Sequence, residues 1–538
     1  NQIQLLLHRN LNLKEIQALL FNYKIFNKNF YNLYISMNCK DKQNIGECEL
    51  QILRSAVDNI ELKLGENLIN NPEIIKIINI VEEFLKSKKL VCYGGTAINN
   101  ILPLEDQFYN KNMELPDYDF FSPTPMKHAK ELADIYYKMG FTEVEAKSGV
   151  HAGTFKVFVN FLPVADITYL VPELFKRIKK EAIQINNILY SPPNFLRMLM
   201  YLELSRPHGN VSRWEKVLKR LILLNKNYPL IGKNCNSEVI QRIFDIGTRQ
   251  MSLLNDSLRK EKLLKKNKEK RQNSLKDIQA DIFDCIFESL VNQGCIFFGA
   301  FANRLFYKLI KRTKKSRDNA LKKIPDFDVL AEEPKTCAAI LKEKLKSEGY
   351  KGIKIIKKPG IGETIAEHIE LKIGDETVIF IYKPLACHSY NILSMNNKKV
   401  RIATIDTMLS FYLAFLYVDR PYYRENRILC MCEFLFKAQQ KYRLRQRGLL
   451  KRFSINCYGK QQTKESMRAE KNDMYIKLKG KRRSKDYQWW FLRYIPHEIH
   501  NKKISLKQRK KGVRNTFKKI VKRKRLKKRR KTKKKRKK

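Results

Sequence analysis

Leu115-Pro116-Asp117-Tyr118-Asp119-Phe120 decides how this chain reads, because a closely similar stretch, Ile324-Pro325-Asp326-Phe327-Asp328-Val329, returns later in the sequence. Upstream of the first lies Tyr93-Gly94-Gly95-Thr96-Ala97, and upstream of the second lies Phe298-Gly299-Ala300-Phe301-Ala302. Downstream, Pro163-Val164-Ala165-Asp166-Ile167-Thr168-Tyr169 is answered by Pro384-Leu385-Ala386-Cys387-His388-Ser389-Tyr390. Laid over each other, the blocks keep Pro, Ala and Tyr and put Cys387 where Asp166 stands. One copy therefore holds three carboxylates and the other two, which predicts an active domain followed by a degenerate one.

Around each block the local signals agree. Asn71-Pro72-Glu73 is a helix start, with a capping Asn and a proline in the first turn. Ile74, Ile77, Ile78, Val81 and Leu85 then fall on one helical face, and Leu90 to Tyr93 reads as a short buried strand ending in the glycines. The second copy has Ile282, Phe283, Ile286, Phe287 and Leu290 on a helix, Gly294 as its stop, and Cys295 to Phe298 as the strand. Later, Phe195–Leu204 before Arg206-Pro207 matches Met408–Val418 before Arg420-Pro421, an apolar helix closing at a turn in both copies. These signals place a helical lead-in at 1–72, one unit at 73–250, a Lys-rich helical connector at 251–275, a second unit at 276–440 and a basic extension at 441–538.

A chain of 538 residues, 43% of them hydrophobic, has material for several cores. Its formal net charge is +54. Residues 441–538 carry 41 Lys or Arg against 5 acids, a net of +36, which leaves +18 for the rest. Such a field favours polyanions, of which nucleic acid and an acidic membrane surface are the two candidates. No apolar run approaches the roughly 20 residues of a membrane span, and no secretory pattern is present at the start. The eleven scattered cysteines fit a reducing compartment and argue against a disulfide framework. Beyond Arg443 the segment to about Tyr494 keeps enough aromatics to fold or dock. From Asn501 to Lys538 there are 24 basic residues and no acid, which cannot build a core.

On a strand Asp117 and Asp119 share a face while Tyr118 points inward. Asp166 lies on a second strand-like segment, Phe155 to Ile167, and can supply a third oxygen ligand. All-oxygen sites that keep open positions for phosphates suit Mg²⁺. Two such ions lower the pKa of an attacking hydroxyl and stabilise a leaving pyrophosphate. Gly94 and Gly95, at the start of a helix, let backbone amides approach a triphosphate, and Thr96 offers a hydroxyl. A lone Asp-x-Asp is common on surfaces and Gly-Gly is usually a turn, so the order of the pieces carries the reading.

That order resembles the DNA polymerase β-like nucleotidyltransferase superfamily. Within it, Tyr93 to Asn99, Leu115 to Phe121 and Ala165 to Tyr169 resemble the poly(A) polymerase catalytic subunits of large cytoplasmic DNA viruses of the poxvirus, asfarvirus and mimivirus type. The resemblance implies an α+β chain with two tandem nucleotidyltransferase folds, the second degenerate. It implies transfer of AMP from ATP to an RNA 3′ hydroxyl, at mRNA ends, using Mg²⁺ or Mn²⁺. It further implies Asp117, Asp119 and Asp166 as metal ligands, Gly94 and Gly95 at the phosphates, and the host cytoplasm, with its viral factories or virions, as the setting. Arg206, Arg213 and Lys216 follow the apolar helix and are candidates to meet the triphosphate; the Lys311–Lys323 run is a weaker candidate for RNA phosphates. Addition of another nucleotide, as in CCA or uridylyl transfer, and a non-catalytic RNA-binding scaffold stay open at this stage. So does the question whether a second copy or another chain confers processivity.

Overall fold

The structure, a computed structural model, describes residues 45–109, 116–236, 273–310, 326–362 and 364–499. After a first helix, α1 (Ile45–Ile69), the predicted start opens α2 (Pro72–Lys88), where Asn71 Oδ1 accepts from the Glu73 amide at 2.9 Å. Ile74, Ile77, Val81, Phe84 and Leu85 form its buried stripe, each worth roughly 1.5–3 kcal/mol of burial. Ile78, expected on that stripe, is half-buried at its edge. Then come β1 (Val91–Tyr93) and α3 (Gly94–Ile101), with Gly94 at φ 76°, a left-handed turn that a side chain would strain.

The first copy continues with β2 (Tyr118–Ser122), α4 (Pro125–Lys138), β3 (Val144–Ser148), β4 (Thr154–Val159) and β5 (Leu162–Tyr169). It ends with α5 (Pro172–Lys180), β6 (Ile183–Ile185), β7 (Ile188–Tyr190), α6 (Pro193–Leu204) and α7 (Trp214–Asn227). The Phe155–Ile167 segment, read as one strand, is a hairpin. Asn160 and Phe161, at φ 50° and 65°, supply the paired left-handed residues whose twist matches the flanking strands.

The second copy repeats the series as α8 (Asn273–Asn292), β8 (Ile296–Phe298), α9 (Gly299–Ile310), β9 (Phe327–Leu330) and α10 (Pro334–Ser347). Next are β10 (Ile353–Lys358), β11 (His368–Ile373), β12 (Glu376–Tyr382), β13 (His388–Met395) and β14 (Lys398–Ala403). Then α11 (Ile405–Phe415) and α12 (Glu425–Lys441) close it. Only α5 lacks a counterpart among the described residues. The extension adds β15 (Cys457–Tyr458), α13 (Lys464–Leu478), α14 (Lys485–Phe491) and β16 (Arg493–Tyr494).

The chain forms two compact units, which cut across the repeat. One comprises 60–90, 111–169 and 469–538, and in its described part five strands lie in the order β16, β3, β4, β5, β2, antiparallel except for the last pair. Its core is sealed by α4: Tyr136 is fully buried and donates to the Ile77 carbonyl at 2.8 Å. Trp489 of α14 packs edge-on against Phe155 and Tyr169. The aromatic segment of the extension therefore does dock.

The other unit comprises 1–59, 91–110 and 170–468. It holds β1, β7 and β6, the helices α6 and α7, and the whole second sheet in the order β10, β11, β12, β9, β8, β14, β13, β15. The two apolar helices, α6 and α11, pack on each other within it; Phe195 meets Tyr417 edge-on at 5.1 Å. Arg452 of the extension makes a buried bidentate pair with Asp406 at the start of α11, at 2.7–2.9 Å.

One sequence expectation is corrected here. Cys235–Cys430 and Cys387–Cys457 are disulfides, although the cysteines are scattered in sequence, because folding brings partners 195 and 70 residues apart together. Cys430 is thus bridged, while Cys432 is a buried free thiol. The Lys311–Lys323 run, the connector up to residue 272, residues 1–44 and the basic arm from 500 onward lie outside the described residues. Among the described residues no helix is long and apolar enough to cross a membrane.

Candidate active site

β2 and β5 run side by side in parallel, and their register sets Asp119 level with Asp166. Partners in such a register share a face. Tyr118, between the two aspartates of Asp117-Tyr118-Asp119, is buried, and its hydroxyl donates to Glu82 of α2. That anchor fixes the strand so that Asp119, half-buried, and Asp117, exposed one residue before the strand, sit on the opposite face. One strand further, β4 places Lys156 level with Asp166, and the Lys156 ammonium is paired with Asp166 Oδ2. Next again, β3 places Lys147 level with Lys156. The row across four strands thus reads Asp119, Asp166, Lys156, Lys147. Neither lysine was found from the sequence, since a register between separated strands leaves no local signal.

The donors of this row are oxygens on one sheet face, which fits Mg²⁺ or Mn²⁺. Asp117, Asp119 and Asp166 do not close into a group whose oxygens all lie within 4.8 Å of one another; among the described residues the one three-donor cluster that tight is His208, Cys387 and Cys457. Its two sulfurs are bonded to each other, so neither is a thiolate.

The glycine turn, in the other unit, also carries a packing constraint that its sequence did not suggest. Tyr109 and Arg220 fill the space beside Gly95: a Cβ there would come within 2.3 Å of Tyr109 Oη and 2.9 Å of Arg220 Nη1. Gly95 is small because these side chains pack on it. Asn99 Oδ1, in α3, accepts from the Phe108 and Tyr109 amides at 2.8 Å each and so fixes their loop. Arg220 of α7 lies over the Phe108 ring at 4.7 Å and donates to Tyr109 Oη at 2.7 Å. A guanidinium is thus stacked beside the first turn of α3, where amides and the helix dipole favour anions. Thr96 is buried.

Of the cations singled out in the sequence, Arg213 is paired with Glu203 at 3.2 Å, and burial raises the Glu203 carboxyl against that pull. Lys216 is exposed on α7. Arg206 lies near His388 of the second copy, whose imidazole is pushed down to about 3, chiefly by burial and then by the Arg206 charge. Arg220, one helical turn beyond Lys216, is the cation at the glycine turn that sequence reasoning missed.

In the second copy the register again decides. β12 lies parallel to β9 with Phe380 level with Asp328, so the residue standing where Asp166 stands is Phe380. The expected match of Asp166 to Cys387 is corrected: Cys387 directly precedes β13, the counterpart of β6, and the shared Pro-Ala-Tyr spacing is a local likeness that the strand pairing overrides. The same row continues through Glu370 and Ile356. Asp328 turns inward onto Gly299, whose missing Cβ would lie 1.9 Å from Asp328 Oδ2. Phe380, Tyr382, Tyr412, Phe415, Tyr422 and Tyr423 close over it, leaving a cavity of ≈ 20 Å³, room for about one water.

Residues 79–210 match the family model described as the poly(A) polymerase catalytic subunit. The chain is 33% identical over 190 residues to a protein of African swine fever virus (isolate Tick/South Africa/Pretoriuskop Pr4/1996) provisionally named as such a subunit. That alignment covers 34% of this chain and 40% of the relative. A protein of the same provisional name from Acanthamoeba polyphaga mimivirus is 33% identical over 194 residues, 34% of this chain and 32% of its own length. The chain thus spans less than half the length of the relatives it matches. Among solved structures, the fold is similar to that of the Megavirus polyadenylate synthase, with a TM-score of 0.66 and 20% identity over 86% of this chain and 88% of that one.

Proposed function

We propose that the protein is a template-independent polynucleotide adenylyltransferase that extends RNA 3′ ends, those of mRNA in particular, with AMP from ATP. The observation that carries this reading is the Asp119–Asp166 register with Asp117 two residues before it, inside the segment that matches the poly(A) polymerase catalytic family. In the reaction the RNA 3′ oxygen bonds to the α-phosphorus of ATP, the bridging bond to the β-phosphate breaks, and pyrophosphate leaves. Asp117, Asp119 and Asp166 would hold Mg²⁺ or Mn²⁺, which supplies a Lewis acid for the developing charge and lowers the pKa of the attacking hydroxyl. Gly94, Gly95 and Arg220 offer amides and a guanidinium to anionic oxygens. Arg206, Arg213 and Lys216 add positive potential, with Arg213 already engaged by Glu203.

The basic arm supports an RNA substrate by its charge, since lysines and arginines that neutralise phosphates release counterions whatever the sequence. The test is primer extension by the purified full chain, with labelled ATP, UTP, CTP and GTP in competition. ATP-dependent ladders that vanish in Asp119→Asn are expected. Incorporation of all four nucleotides alike, or none in the wild type, would overturn the adenylyltransferase reading.

A further inference from the structure

We infer that Lys156 is a positioning residue of the acidic site, an internal counter-ion that holds Asp166 when no metal is bound and that a divalent cation has to displace. This rests on the reading of Asp117, Asp119 and Asp166 as metal ligands.

Lys156 and Asp166 are directly opposed on β4 and β5 and are ion-paired, with side chains only 36% and 21% exposed. Water therefore screens the pair incompletely. Asp119 stands level with Asp166 on the other side, so without a cation between them the two carboxylates repel. The ammonium relieves that repulsion from the β4 side. Lys147 does not share the task. Its ammonium lies over the Phe158 ring at 4.0 Å and reaches Glu145 at 3.4 Å.

The second copy supplies an internal control. Where Asp166 is replaced by Phe380, Lys156 is replaced by Glu370, which has its own cation in Lys358 at 3.7 Å. With the acid gone, the lysine beside it is gone too. That is expected of a lysine retained for the carboxylate, and not of one retained for the strand.

Two consequences follow from competition between one ammonium and one divalent ion for the same carboxylate. Removing the lysine tightens metal binding, by about tenfold for the loss of one adjacent like charge at a partly exposed site. It also lowers the stability of the metal-free protein, a loss that saturating metal restores. A lysine with a purely structural role would lower stability equally with and without metal and leave the affinity unchanged.

The experiment is Mn²⁺ titration of the full chain, following the free-ion electron paramagnetic resonance signal, in wild type, Lys156→Met, Lys156→Arg and Asp119→Asn, with melting temperatures taken without and with Mn²⁺. Lys156→Met should bind about tenfold more tightly and show the larger metal-induced rise in melting temperature. Lys156→Arg, which keeps the charge, should stay close to wild type. Unchanged or weaker binding by Lys156→Met, while Asp119→Asn loses its Mn²⁺, overturns the counter-ion role and leaves the acidic site standing. Wild-type binding by Asp119→Asn overturns the acidic site itself.

Discussion

The same four-strand row carries Asp119, Asp166, Lys156 and Lys147 in the first copy and Asp328, Phe380, Glu370 and Ile356 in the second. Strand order and register are alike, so the backbone asks for no particular chemistry at these positions. What differs is access and charge. The first row is half-buried, and Asp117, two residues before Asp119, adds a third carboxylate to its two. In the second, Phe380 stands in place of the third carboxylate, five further rings close the cleft, Asp328 lies on its own glycine turn, and Asp326 is buried. On the proposed reading the second copy is the one without catalysis, and its filled cleft gains burial and dispersion contacts that an open one forgoes.

The sharpest way to break this contrast is to neutralise one acid in each row. Asp119→Asn should reduce AMP transfer on the order of 10³-fold, while Asp328→Asn should leave the rate per folded molecule unchanged. Equal losses in single-turnover assays at matched folding would show that both rows act in catalysis.

Next in size is the staple confined to the second copy and its extension. Cys387–Cys457 closes a 70-residue separation, worth about 4 kcal/mol by chain entropy. Cys457→Ser should lower the denaturation midpoint of the unit that contains it and leave Mn²⁺ binding at the acidic row unaffected. A Mn²⁺ site lost along with the staple would mean that the rows do not behave independently.

Acid should act on both copies and more on the second, since burial also lowers His128 of the first copy. His388 and His368 of the second sheet are buried, and burial holds them down to about 3 and about 4. Their folded values lie below the unfolded one near 6.5, so the stability tied to their neutral forms is complete above pH 6.5 and is lost as pH falls toward 4. By pH 5 each costs about 2 kcal/mol. Melting curves from pH 7 to 5 should show this loss in wild type and half of it in His388→Leu. An identical pH slope in the variant would remove His388 from the account.

The smallest contrast concerns the turns. Gly95→Ala forces Tyr109 and Arg220 away, an overpacking worth roughly 1–3 kcal/mol, and should raise the KM for ATP more than it lowers kcat. Ala300→Gly, at the matching position, should cost about 1 kcal/mol or less through backbone entropy alone and leave the KM for ATP where it was.

Much of this was legible from the sequence because it is local. Capping at Asn71, the isoleucine stripe of α2, the left-handed glycines and the alternation around Tyr118 and Phe327 all follow from residues within a turn or a few strand positions of one another, and they sufficed to find two copies, their order and the first copy's three acids. The basic excess and its concentration after residue 441 needed only counting. The rest depends on which distant segments lie side by side. That Phe380 and not Cys387 stands in place of Asp166, that Lys156 faces Asp166, that Arg220 fills the flank of Gly95, and that four cysteines pair, were decided by strand register and helix docking. Backbone hydrogen bonding across a sheet sets these relations for whole strands at once, and it overrides a short likeness of spacing, because no stretch of sequence states which strand its own will lie against.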